Sequence, residues 1–596
     1  MAPSRLFPPT RLLTTTRSAT RTPLSPRARL SSSATAPPRP RRKLRWTGLA
    51  AGAALATGAL VFANDARAGA NELEALHDRT AGSVGAEGAR ERVRETMVSL
   101  VRTYVVYSFC SVPALVDAAP AILDALLAVP GLRAVTEAVV RTTFFGQFVG
   151  GETAEDALPL IEELRQQKTG CLFAYSVEVD EAEASGHGND AGKPPSSVHK
   201  QIVQETLHCI DVAADYEDKH TPGTVGRRTW VAIKLSAMVP DAETLRRFSK
   251  FLVDTRPPVQ PPVAFPGAPL PSDLDVLADG RATGPLTDAD IVALRELRQD
   301  LEAICARAKA RGVRIIFDAE YSWYEPAIDA YTLDMMRRFN KLPSPANAKA
   351  SWFGGAPAAA ETDADAGVQP LVYATYQAYL RRTPEYLVQS IAAARREGYA
   401  LGVKLVRGAY HPHEVAAHPA AGEAHALSLS ISPEPAPPVW TAKAETDARY
   451  DAGVRALVRA VRADVEAGKG KTAPPTIGVL FGTHNWTSAE LIPEEMARAG
   501  LARKEADGTV VVPDEVAERV TMGQLFGMTA VLTTHLANRV HASAPFVIKY
   551  IPYGALSEVM PYLGRRAIEN KSVLGNGAAA EERRRAAAEI VARVVG

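Results

Sequence analysis

The chain has 596 residues, 46% hydrophobic and 23% charged, with a net charge of +1, which is material for one large domain or several. That balance lacks the basic excess of a nucleic-acid binder, so no nucleic acid is expected as a partner. Its four cysteines, Cys110, Cys171, Cys209 and Cys305, form no CxxC pair; they fit reduced core thiols better than a disulfide framework or a zinc site, and no metal is expected.

Residues 1–64 contain no Asp or Glu, and residues 1–45 hold ten Arg and one Lys among many Ser and Thr. This composition reads as a mitochondrial transit peptide, the alternative being a plain basic tail. Trp46–Ala63 is then uncharged for 18 residues, directly after Arg41, Arg42, Lys43 and Arg45. At ~1.5 Å per residue it is barely long enough for a ~30 Å hydrocarbon core, so it is a candidate membrane anchor of modest insertion energy. Residues 64–140 form an amino-terminal helical region. Within it Val101, Val105, Leu115 and Ile122 alternate with polar positions, while Pro113, Pro120 and Pro130 break the run. The simplest expectation for this layer is packing against the main domain.

From about residue 141 to 575, short apolar runs recur. They are Cys171–Val177, Trp230–Leu235, Arg314–Asp318, Leu371–Tyr376, Ala400–Val406, Thr476–Thr483, Arg519–Leu525 and Phe546–Ile551. Helix-period segments lie between them, such as Val454, Leu457, Val458, Val461 and Val465, or Ile328, Tyr331, Met335 and Phe339. Eight strands alternating with helices predict an α/β fold: a TIM-type (β/α)8 barrel, distorted, with an amino-terminal helical extension and a helical tail over 576–596. An open doubly wound sheet is the alternative, because the seventh run is weakly patterned. Three insertions, Arg256–Leu286, Leu342–Val368 and His411–Pro438, are rich in Pro, Ala or His and read as surface excursions.

In such a barrel the catalytic groups project from the carboxyl ends of the strands. There the chain carries Lys234 in IKLSA, Asp318 and Glu320 in FDAE, and Gln377 in TYQAY. Lys404, Arg407 and Tyr410 follow in VKLVRGAY, His484 and Asn485 in GTHNW, and Lys549 and Tyr550 in the eighth run. Charge in an apolar strand is costly unless paired or solvated at a mouth, so six strands with this habit predict a shared polar cavity.

The stretch Phe546–Glu569 turns at Pro552–Gly554 into a helix bearing Tyr562, Arg565, Arg566 and Glu569. At about 100° per residue those four side chains share one face, while Leu556, Val559, Met560, Leu563 and Ala567 form an apolar stripe about 120° away. Pro561 requires the helix to start near Ser557 or later. Two guanidinium forks beside a strand end suit a carboxylate. The competing reading is a solvated surface with Arg565 and Glu569 as an i,i+4 ion pair.

YxxRRxxE after IKYIPYG resembles the carboxy-terminal signature of the proline dehydrogenases, flavin-dependent enzymes that oxidise proline to pyrroline-5-carboxylate. FVGGET at Phe148–Thr153, IKLSA, FDAE, TYQAYL, KLVRGAY, THN and GQLFGM match family blocks in order over Thr142–Leu574. One departure is LFAYSVE, where many members carry Asp at the position of Ala174; the long insertions suggest a eukaryotic, fungal-like form. The resemblance implies hydride transfer from proline to FAD N5. Arg565, Arg566 and Lys234 would hold the substrate carboxylate and Tyr562 would pack on the ring. Glu569 would orient Arg565, Tyr550 and Leu525 would line the apolar wall, and Asp318 would neutralise the cluster. For FAD it implies Gln377, Lys404, Arg407, Gly408, Ala409 and Tyr410 around the ring and pyrophosphate. Thr441, Lys443, Thr446 and Asp447 would lie toward the adenine, and His484 and Asn485 near the ring system. It further implies ubiquinone as acceptor and the matrix side of the mitochondrial inner membrane as location. Hydroxyproline dehydrogenase on the same barrel is the nearest rival. More remote are an aldolase-like barrel with Lys234 as Schiff-base lysine and a barrel without catalysis.

Overall fold

A computed structural model describes residues 59–72, 95–176, 198–221, 223–279, 281–343, 368–418, 429–469, 474–571 and 578–595. The expected transit peptide at 1–45, most of the candidate anchor, and the centres of the second and third insertions lie outside the described residues. Residues 62–596 make one compact unit.

Eight parallel strands close into a barrel: β1 Thr169–Tyr175, β2 Thr229–Ile233, β3 Ile315–Phe317, β4 Val372–Gln377, β5 Leu401–Val406, β6 Ile477–Gly482, β7 Val520–Leu525 and β8 Val547–Tyr553. Each strand pairs with the next, and β8 returns to β1 with Leu172 level with Tyr550. The open-sheet alternative is thereby excluded. The weakly patterned seventh run takes its place between β6 and β8.

Period-two alternation decides what each strand residue does. Cys171 and Phe173, Val231 and Ile233, Val403 and Leu405, and Val479 and Phe481 face the helices in the outer core. Leu172 and Ala174, Trp230 and Ala232, Ile316, Tyr373, Leu480, Ile548 and Tyr550 belong to a second core inside the barrel. Tyr373 fills the lower interior so closely that a Cβ on Gly478 would strike its hydroxyl, which is why only glycine fits there. Continuing the inward series to the carboxyl ends gives Lys234, Asp318, Gln377 and Lys404. Lys549 belongs to the outward series, so it is buried behind the barrel wall and does not face the interior. Ala174 contributes a methyl group to the inner core and nothing polar at the mouth.

The outer helices follow their predicted stripes. Helix Lys443–Gly468 buries Val454, Leu457, Val458, Val461 and Val465. The Arg256–Leu286 insertion is not a surface excursion. Phe265, Leu274, Leu277 and Leu286 join the outer core, and Arg256 forks onto buried Asp273 at 3.1 and 2.7 Å. Its apolar side chains are spaced irregularly among prolines, so no periodicity marks them as core.

The amino-terminal region forms helices Met97–Cys110, Pro113–Leu127 and Leu132–Val140. The first buries Leu100, Val106, Tyr107 and Cys110, whereas Val101, Val105 and Ile122 are exposed, opposite to the packing role their pattern suggested. Helix Ala578–Val595, from the other end of the chain, packs along Met97–Cys110. Arg585 meets Glu95 at 2.7 Å, and Arg583 meets Asp65 at 3.0 Å.

Candidate active site

The carboxyl ends of the strands open into a cavity of about 580 Å³. Lys234, Asp318, Leu525, Tyr550, Tyr562, Arg565, Arg566 and Glu569 all line it. So do Gln377, Lys404, Arg407, Gly408, Ala409, Tyr410, Lys443, His484 and Asn485. Thr441, Thr446 and Asp447 do not. Thr441 is exposed and Thr446 is buried beneath the surface. Asp447 stands behind the wall, taking Arg407 at 2.7 Å and Lys443 at 2.6 Å. Burial alone would raise the Asp447 carboxyl, but hydrogen bonds from Lys443 and Arg407 outweigh it and hold the group below its usual range.

Asp318, just past β3, accepts from Lys404 Nζ at 2.5 Å and from the Tyr550 hydroxyl at 3.0 Å. Lys404 Nζ also lies 5.3 Å from the Tyr550 ring centre, so one carboxylate fixes a cation and an aromatic face together. Glu320, expected on the same side of β3, turns away to accept from Ser236 N–H at 3.0 Å and from the Ser236 hydroxyl. The strand ends at Phe317, so alternation no longer governs its direction.

Helix Met560–Asn570 begins with Pro561 in its first turn, where a missing N–H costs nothing. Its stripe of Val559, Leu563 and Ala567 is buried, and this aims the opposite face at the cavity. Arg565 and Arg566 are themselves buried, each stacked on aromatic rings. Arg565 is 5.1 Å from Tyr410 and 5.9 Å from Tyr562, and Arg566 is 4.9 Å from Tyr562. The solvated-surface reading of this helix is therefore wrong. Glu569 forks onto Arg566 at 2.7 Å for each oxygen, an i,i+3 pair where helical spacing suggested Arg565. The Arg566 Nη1 contact has ion-pair distance without hydrogen-bond alignment, and its Nε has no partner in the protein.

His484 follows β6. Its Nε2 accepts from Leu525 N–H at 3.1 Å, so Nδ1 carries the proton and donates to Thr529 Oγ1 at 2.7 Å. Burial, with Lys549, Arg566 and Arg407 nearby, holds its pKa well below 6.5 and keeps the ring neutral. Arg407 is anchored on Thr483 and Ser488, each at 2.8 Å, and stacks 4.4 Å from Tyr450. Lys549 lies behind the wall and donates to the carbonyls of Leu525 and Met528 at 3.3 and 3.0 Å. Burial brings its pKa down to about 7.

Sequence reasoning missed the roof. Tyr107 from helix Met97–Cys110 and Glu581 and Glu582 from helix Ala578–Val595 line the cavity. The Tyr107 hydroxyl donates to Gly527 O at 3.1 Å, and Gln147 Nε2 does so at 2.9 Å. Gly527 has φ +76° and no room for a side chain against Gln147, so this loop is locked to the roof. Thr483, Gln524, Met528 and Thr529 were also missed, although the THN and GQLFGM blocks contain or adjoin them.

Among the described residues, six cations (Lys234, Lys404, Arg407, Lys443, Arg565, Arg566) and four carboxylates (Asp318, Glu569, Glu581, Glu582) face this space, an excess that favours an anionic occupant. Gln377 donates through Nε2 to Glu320 O and the Tyr379 hydroxyl, each at 3.2 Å, while its buried Oε1 has no protein partner. An acceptor of that kind beside several cations fits a group with both N–H edges and phosphates, as a flavin dinucleotide has.

Comparisons with known proteins agree with this chemistry. The family model described as "Proline dehydrogenase" matches residues 157–578. The human hydroxyproline dehydrogenase is 28% identical over 80% of this chain and 86% of its own. The "Probable proline dehydrogenase, mitochondrial" of Schizosaccharomyces pombe is 24% identical over 88% of this chain and 92% of its own. Among solved structures, proline utilization A (PutA) from Bdellovibrio bacteriovorus, inactivated by N-propargylglycine, superposes with a TM-score of 0.50 at 15% identity. The match covers 88% of this chain and 44% of that one, and it establishes likeness of fold.

Proposed function

The chain belongs to the proline dehydrogenase family, and from that premise we propose that it oxidises L-proline to 1-pyrroline-5-carboxylate in the mitochondrion, with FAD as cofactor and ubiquinone as electron acceptor. One observation carries the reading: every residue expected at the substrate lines a single cavity at the barrel mouth.

Proline is rigid, and its carboxylate is its only strong handle. Arg565 and Arg566, with Lys234 as a third cation, bind that carboxylate, and the forked guanidiniums fix its orientation as well as its charge. Tyr562, braced by both arginines, packs against the ring, while Tyr550 and Leu525 supply the apolar wall. Asp318 keeps Lys404 and Tyr550 in place, so the wall is set before substrate arrives. Most of the rate enhancement then comes from positioning. The Gln377 acceptor, Lys404, Arg407, Gly408, Ala409, Tyr410, Lys443, His484 and Asn485 would hold FAD, with Thr441, Thr446 and Asp447 toward its far end. FAD, when bound, supplies the hydride acceptor for the carbon beside the proline nitrogen. Neutral His484 adds no positive charge beside the ring system, and the roof limits water. Residues 1–45 direct import and Trp46–Ala63 anchors the protein on the matrix side of the inner membrane.

The decisive measurement is the absorbance of the purified protein. An oxidised-flavin spectrum that bleaches on adding L-proline is expected, and a colourless, folded protein would overturn the assignment. Because hydroxyproline dehydrogenases stand among the relatives, turnover on L-proline against trans-4-hydroxyproline with a quinone dye decides the preferred ring. Removal of residues 1–45 should abolish mitochondrial import.

A further inference from the structure

We propose that the amino-terminal helices dock this protein on a lipid bilayer through an aliphatic face that lies back to back with the roof of the catalytic cavity. Ten of the eighteen large hydrophobic side chains exposed among the described residues fall within 97–139. Singly scattered surface residues do not cluster in this way; a patch marks an interaction site. On helix Met97–Cys110, Val98, Val101 and Val105 lie within about 60° of one another, on the far side from the buried Leu100 and Tyr107. Helix Leu132–Val140 repeats the device with Leu132, Val135 and Val139 and has no buried residue at all. Between them, helix Pro113–Leu127 buries only Val116.

Three observations favour lipid as the occupant. Nine of the ten are Val, Leu or Ile, the tenth being Met97, whereas protein interfaces draw on Tyr, Trp, Phe, Met and Arg. Helices Met97–Cys110 and Pro113–Leu127 are together apolar enough to pass as a membrane span, yet they are bent by 97°, and no single described helix is long and apolar enough to cross. An apolar pair bent that sharply suits a place along the interface, with its outer face toward lipid. Finally, the uncharged run Trp46–Ala63 ends on this same element. Phe62 packs edge-on against Tyr104 of helix Met97–Cys110 at 5.1 Å, and Asp65 accepts from the Tyr104 hydroxyl at 3.2 Å. An anchor in that run delivers the chain to the helix that bears the valine stripe.

Tyr107, on the other side of that helix, lines the catalytic cavity. The lipid face and the cavity are therefore about one helix diameter apart, roughly 10–12 Å. That proximity gives a lipid-soluble electron acceptor a short route; this last step rests on the proposed oxidation, and the docking does not.

All four native cysteines are buried, so a cysteine added on the surface can be labelled selectively. The full-length chain is labelled with a nitrobenzoxadiazole fluorophore at Val101→Cys, at Val135→Cys, or at Val292→Cys, an exposed control on helix Asp288–Arg311. It is then mixed with phosphatidylcholine vesicles containing a minor share of cardiolipin. Emission should rise several-fold and shift to the blue at positions 101 and 135 and stay constant at 292. Dyes at 101 and 135 that remain in water while the protein floats with the vesicles would overturn docking by this face, since an anchor alone would then hold the protein. A change that depends on protein concentration without lipid would overturn it too, assigning the face to a second copy. Proline-dependent dye reduction in the same samples reports separately on the proposed oxidation, so either idea can fail alone.

Discussion

The two ends of the barrel are built from the same kinds of side chain and put them to different use. At the amino-terminal end, buried Glu217 takes Arg165 at 2.5 Å, the Thr229 hydroxyl at 2.6 Å and Arg228 N–H at 3.1 Å. Glu518 takes Arg314 at 2.9 Å and Gly226 N–H at 2.8 Å, with Arg228 at 3.4 Å. Arg228 also donates to the carbonyls of Ala517 and Pro545 at 2.7 and 3.1 Å. These charges pair with one another in a packed layer, although Arg165 Nε, Arg314 Nε and Glu217 Oε2 lack hydrogen-bond partners. At the carboxyl end, six cations and four carboxylates among the described residues line an open cavity. Ion pairs packed against one another close one end, while at the other a net positive lining surrounds an open cavity and favours an anionic occupant.

Glu518→Ala tests the closed end most severely. It leaves Arg228 and Arg314 buried without their carboxylate, which should cost about 3–5 kcal/mol in denaturant unfolding. Activity per folded molecule should be unchanged; an altered KM for proline would break the contrast. At the open end, Arg566→Met should lower kcat/KM by about 2–4 kcal/mol in transition-state terms, chiefly through KM, with thermal stability nearly constant. Normal proline oxidation by that variant would remove the carboxylate assignment.

Lys549 sharpens the contrast through pH. Its folded pKa is depressed to about 7 from an ordinary 10.5, so between those values the unfolded chain holds a proton that the folded protein lacks. Stability from this group therefore rises with pH over that window, by up to about 1.4 kcal/mol per pH unit, and the penalty is complete below it. The stability difference between the protein and Lys549→Met should therefore shrink from pH 7 to 10; a constant difference would show that the amine stays charged. The smallest effect belongs to the roof. Tyr107→Phe removes one hydrogen bond to Gly527 O, which Gln147 also satisfies, and should cost about 0.5–1.5 kcal/mol in unfolding.

Much of this arrangement was legible from composition and period. All eight strands coincide with apolar runs to within two residues at either end, and the inward positions at their ends carry the polar groups of the cavity. Lys549 was harder to place, because adjacent residues of a strand face opposite ways and only the closed barrel shows which way is inward. Glu569 was paired with the wrong arginine because i,i+3 and i,i+4 neighbours are both within reach on a helix. The core residues of the Arg256–Leu286 insertion carried no period to read.

Composition and period settle the element order, the strand positions that share a face, and the helix that carries two arginines beside a strand end. Each of these depends on spacing along a few residues, which the backbone geometry of strands and helices makes local. The packed fold alone sets which face of each strand points inward and brings helices Met97–Cys110 and Ala578–Val595 together over the cavity that Tyr107 and Glu582 both line. It also decided that Val101 and Val105 face outward. Contacts between residues hundreds of positions apart leave no local pattern, and an apolar stripe does not say which of its possible surroundings it will meet.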